Sequence, residues 1–60
     1  MSDLPELMTR REVAGLLRVS QACLSRWAQA GTGPRCLWLS ATVPRYRRED
    51  VEAFLSRAAA

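Results

Sequence analysis

The sequence predicts a mostly α fold with one small β-hairpin, and three observations carry that prediction. Segments 9–17 and 20–30 each begin with a hydroxyl residue suited to capping a helix and then repeat apolar residues at helical spacing. Two strand-like runs, 36–39 and 43–46, flank a short turn. A third helical stripe, Val51, Phe54 and Leu55, follows a cluster of acids. Sixty residues make one small domain. Such a chain buries only about 60% of its unfolded surface, so its core is thin.

Residues 1–6 read as a frayed lead-in, with Pro5 disfavouring helix before it. Leu7 and Met8 are expected to tuck against the core. Thr9-Arg10-Arg11-Glu12 matches a capping box, with Thr9 at the N-cap and Glu12 at N3. Val13, Ala14, Leu16 and Leu17 form the apolar set of the first helix, interrupted by Gly15. A glycine there costs about 1 kcal/mol against alanine, and a close helix–helix approach would account for it. The first helix must end near 17–18, because Ser20 caps the next. Gly31 sits where a helix ends in a left-handed residue. Leu24, Trp27 and Ala28 give this second helix an apolar stripe, with Val19 leading into it. A helix, a turn of about three residues and a second capped helix form a helix-turn-helix pattern.

Thr32-Gly33-Pro34 is a turn by composition. The strands that follow read as a wing, with Leu37 and Leu39 inward and Cys36 and Trp38 outward. Pro44 cannot donate to a ladder, which predicts an edge or bulged strand. The last helix is expected at about 47–57, with 58–60 a frayed tail.

Charge is distributed unevenly. Residues 7–48 hold eight arginines and one acid, Glu12, a local balance of +7 in a chain of net charge +3. That footprint suits a polyanion. All nine cations are arginine, which fits phosphate and guanine recognition and equally a GC-rich genome. The second helix's outer face holds Gln21, Ala22, Ser25, Arg26 and Gln29, without an acid. These groups suit base edges and phosphates, or simply a solvated face. Arg26 would in the latter case pair with an acid such as Glu12. The absence of histidine and of a metal-ligand set or nucleophile–base pair argues against an enzyme. No metal or other cofactor is expected. Cys23 reads as a small core-edge residue and both thiols as reduced. No stretch reaches the length of a membrane span, and the N-terminus does not have the pattern of a signal peptide. A cytoplasmic protein at the nucleoid is expected.

The run LMTRREVAGLLRVSQACLSRWAQAG, followed by GPRCLWLS and RYRREDVEAFL, resembles the excisionase-like, MerR-type winged helix-turn-helix family over residues 7–55. The resemblance implies a sequence-specific architectural DNA-binding protein. An excisionase, or recombination directionality factor, would bend attachment-site DNA for an integrase. A small transcription regulator of a phage or host promoter is the alternative. It implies a recognition helix in the major groove, starting at Ser20, with Gln21, Ala22 and Ser25 facing bases and Arg26 on a phosphate or guanine. Arg10 and Arg11 would reach phosphates, and the wing would contribute Arg45 and Arg47. Trp27, Tyr46 and Phe54 match large positions that hold the fold. The implied partners are double-stranded DNA and an integrase. The acids Glu49, Asp50 and Glu52 suit a helix N-terminus, or head-to-tail packing of copies on DNA. A third possibility is a protein-interaction adaptor that has lost DNA binding. Three departures from the family stand out: Arg18 replaces a small or glycine residue in the turn, Trp38 replaces a frequent cation, and the wing tip is poor in cations.

Overall fold

The computed structural model describes residues 6–59. The elements run β1 (Leu7–Thr9), α1 (Arg10–Leu17), α2 (Gln21–Ala30), β2 (Leu37–Ser40), β3 (Val43–Arg47) and α3 (Arg48–Ala59). Both N-caps form as the sequence predicts. The Thr9 hydroxyl accepts from Glu12 N at 3.1 Å, and the Glu12 carboxylate accepts from Thr9 N at 2.8 Å. The Ser20 hydroxyl accepts from Cys23 N at 3.0 Å. Gly31 closes α2 in the left-handed region at φ 77°. Arg18 closes α1 in the same region at φ 61°, where an L-residue bears roughly 1–2 kcal/mol of strain that glycine avoids.

The sheet departs from the expected hairpin. Leu7–Thr9 is a third strand, and the order is β1-β3-β2, all antiparallel. Three residues are too short to show a period, so this strand has no sequence signature of its own. Met8 lies opposite Tyr46, and both turn inward. The strand carrying Pro44 is therefore central rather than an edge. It tolerates proline because β1 pairs no further than Arg45, leaving Pro44 opposite only β2. The irregularity falls on β2, between Trp38 and Ser40.

Strand parity is also reversed from expectation. Trp38 lies opposite Pro44, so it shares the sheet face of buried Tyr46, whereas Leu37 lies opposite Arg45. Residues directly opposite in an antiparallel pair point to one side, and a shift of one residue exchanges the faces. Cys36 accordingly packs against the core, and Leu39, at the bulge, is exposed. Hydropathy favoured the leucines. The single tyrosine, buried opposite Met8 and next to Arg45, which pairs with both neighbouring strands, sets the parity instead.

The core is Val13, Ala14, Leu24, Tyr46 and Val51, with Met8, Leu17, Val19, Trp27 and Cys36 around it. Leu7, Leu16 and Leu55, expected inside, are exposed, while Met8 does pack on the core. With Met8 and Val51 the three leucines line a groove rimmed by Glu6, Glu12, Arg48 and Glu52. Gly15 does not serve a close helix approach: a Cβ there would meet nothing within 4 Å. The last helix starts at Arg48, after Arg47 completes the strand, and continues through Ala58 to Ala59. The remainder of the expected lead-in, 1–5, and Ala60 lie outside the described residues.

Candidate nucleic-acid interface

The inner side of α2 is anchored at three points. Leu24 is fully buried. Trp27 packs on Phe54 of α3, with ring centroids 5.6 Å apart and planes tilted by 49°. The turn after α2 then closes over the same tryptophan. Thr32 N donates to Trp27 O at 2.9 Å, and Gly33, at φ 74°, lies so close that a Cβ would stand 2.7 Å from Trp27 Cε3. Pro34 is buried behind it. The position of α2 is thus determined by its rear face.

The front face is free. Gln21, Ala22, Arg26 and Gln29 are exposed, and Ser25 is half-buried. Arg26 has no ion pair among the described residues, and the acid proposed as its alternative partner, Glu12, caps α1 instead. The Ser20 hydroxyl at the head of this face is engaged in its cap.

The arginines divide by what they touch. Arg47 reaches Asp50 at 2.9 Å and Glu49 at 3.1 Å. Its guanidinium holds the Asp50 carboxyl below the usual aspartate range, with help from Arg35, and the two acids raise Arg47 in turn. Arg48 pairs with Glu6 at 3.2 Å and Glu52 at 3.4 Å. Arg45 donates from Nη1 to Pro44 O at 2.8 Å. Arg11, Arg18, Arg26, Arg35 and Arg57 are exposed, with no ion pair or side-chain hydrogen bond among the described residues. The first three belong to the two helices and the turn between them.

Arg10 behaves differently from its neighbour. Its guanidinium lies over the Trp38 ring, 5.5 Å from the centroid, while Nε and Nη2 are buried without a hydrogen-bond acceptor among the described residues. The aromatic face partly replaces the missing acceptor. Burial pushes the Tyr46 phenol above its ordinary value near 10, and the Arg10 cation close by opposes that shift. The side chain expected to reach outward from the start of α1 is therefore folded onto the wing. Trp38 remains 52% exposed beyond it, and Leu39 stands out at the wing tip.

Of the sequence-predicted residues, Gln21, Ala22, Ser25 and Arg26 share one helix face, and Arg11 is free at the head of α1. Arg45 is on the wing, while Arg10 and Arg47 have contacts within the fold. Sequence reasoning did not anticipate the Arg10–Trp38 stack, whose partners are 28 residues apart. An aromatic in place of a frequent cation was the available signal. Among the described residues, no helix is long and apolar enough to cross a membrane.

A family model described as a helix-turn-helix domain matches residues 7–59. Among curated proteins, a transcriptional repressor, DcmR, from Methylorubrum extorquens is 41% identical over 51 residues. That match covers 85% of this chain and 19% of the repressor, so the chain spans about a fifth of that relative's length.

Proposed function

Because the chain belongs to the helix-turn-helix domain family, a sequence-specific DNA-binding domain, we propose that α2 enters the major groove and that the output is regulation of transcription. The observation that carries this is the free, acid-less front of α2, with Gln21, Ala22, Ser25 and Arg26 above a rear face locked by Leu24 and Trp27. Gln21 and Ser25 supply hydrogen-bonding groups to base edges, and Ala22 leaves room for a thymine methyl. Arg26 contacts a guanine or phosphate, Arg11 a phosphate, and Arg45 the backbone beside the wing. Arg10 acts as a positioning residue that holds the wing through Trp38. Arg47, paired with two acids, steadies the start of α3. The likeness to a repressor supports the regulatory output: a bound domain blocks a promoter by occupying it.

The exposed wing pair Trp38 and Leu39 favours a second reading. An excisionase would stack copies head-to-tail on attachment-site DNA, using such an apolar tip between neighbours, and bend the site for an integrase. Both readings put the protein at the nucleoid of the cytoplasm. Selection of duplexes from a random pool separates them. Inverted repeats mean a two-fold regulator, and direct repeats about one helical turn apart mean stacked copies. No enrichment at low salt would leave a protein-interaction adaptor. Arg26→Ala must weaken binding to the selected site; unchanged affinity and base preference would refute this recognition face.

A further inference from the structure

Two residues of α1 are locally the wrong way round. Gly15 occupies a helix interior, where glycine is unfavourable and alanine would meet no obstacle. Arg18 occupies a left-handed cap, where glycine would be relaxed and arginine is strained. Neither choice is compensated within the fold: a Cβ at Gly15 would meet nothing within 4 Å, and the Arg18 side chain is exposed with no partner among the described residues. Backbone strain of this kind concentrates at functional sites.

The helix period supplies one. Arg11 and Gly15 stand at i and i+4 on one edge of α1, Arg18 caps the helix seven residues after Arg11, and all three are exposed. The two arginines are two turns apart, roughly 10 Å along the axis, with a side-chain-free step between them. The Val13 and Ala14 side of the helix is buried, and the edge bearing Glu12 and Leu16 borders the apolar groove. Arg18 comes two residues before the Ser20 cap of α2, which puts it beside the end of α2 that enters the groove.

We propose that Arg11, Gly15 and Arg18 form a track for the phosphate backbone flanking the groove occupied by α2. The proposal rests on the duplex-binding reading above. Arg11 and Arg18 each hold a phosphate, and Gly15 lets the sugar-phosphate chain approach the helix between them. Arg18 and Gly15 are thus retained for binding at the expense of local stability.

The test measures both quantities on the same variants, using a fluorescein-labelled duplex and thermal unfolding. Arg18→Gly should raise Tm by several degrees. It should also weaken binding about fivefold to tenfold near 0.1 M salt and lower the salt slope by about 0.9. Arg18→Lys keeps the charge and should retain most of the affinity. Gly15→Ala should likewise raise Tm and weaken binding. If Arg18→Gly binds with wild-type affinity and salt slope, the track is refuted while the α2 reading stands. If Gly15→Ala binds as wild type, the close approach at that position is refuted. Failure of the wild-type protein to bind any duplex at low salt overturns both the track and the reading beneath it.

Discussion

Gly33 and Gly31 offer a controlled measurement of how firmly the turn after α2 holds the interface helix. Both have positive φ, 74° and 77°. They differ in surroundings. A Cβ on Gly31 would meet nothing within 4 Å, whereas one on Gly33 would stand 2.7 Å from Trp27 Cε3, 3.0 Å from its Cβ and 3.2 Å from its Cδ2. Gly31→Ala therefore incurs only the left-handed strain, roughly 1–2 kcal/mol. About 0.4–1 kcal/mol of that is returned by the stiffer unfolded chain. Gly33→Ala adds overpacking of about 1–3 kcal/mol, because the Trp27 Cβ is fixed to α2 and cannot swing aside. Displacing the ring also loosens its contact with Phe54, a pair that contributes about 0.5–1.5 kcal/mol. The expected loss is about 2–4 kcal/mol for Gly33→Ala against about 1 kcal/mol for Gly31→Ala. Domains of this size have only a few kcal/mol in total. Each kcal/mol shifts Tm by about 4–8 °C, so circular dichroism melts resolve the difference. Equal melting losses for the two variants would refute the Trp27 contact as the reason for glycine at 33.

In a double-mutant cycle, Arg10→Ala and Trp38→Ala should show a coupling of about 0.5–1 kcal/mol by urea denaturation, the size of a partly exposed cation–π contact; additive losses would mean that the stack contributes nothing. The Asp50 carboxyl is held below its ordinary value by Arg47, so its contribution is complete above the unfolded aspartate range and is lost as pH falls through the lower, folded value. Melts of wild type and Asp50→Asn should converge at strongly acid pH, and a constant gap would contradict the pairing. The raised Tyr46 phenol has the opposite consequence. The folded state keeps its proton longer, so stability should decline as pH rises above about 10, and the decline should be smaller in Tyr46→Phe.

Features governed by neighbours within a few residues were legible from the amino-acid order. Thr9 and Glu12, Ser20 and Cys23 N, and Gly31 with its positive φ all depend on groups no more than four residues apart. The free face of α2 was legible for the same reason, because helical period alone separates Leu24 and Trp27 from Gln21, Ala22 and Arg26. The tertiary structure decided what local pattern leaves open. Leu7–Thr9 became a strand only because β3 had an unpaired edge. Strand parity followed buried Tyr46 rather than the hydropathy of Leu37 and Leu39. The roles of the arginines were likewise set by distant partners: Arg10 by Trp38, and Arg48 by Glu6, 42 residues away. A cap is specified by bonds the chain can make within one turn, whereas a strand's partner, a face's parity and a cation's neighbour exist only once remote segments meet.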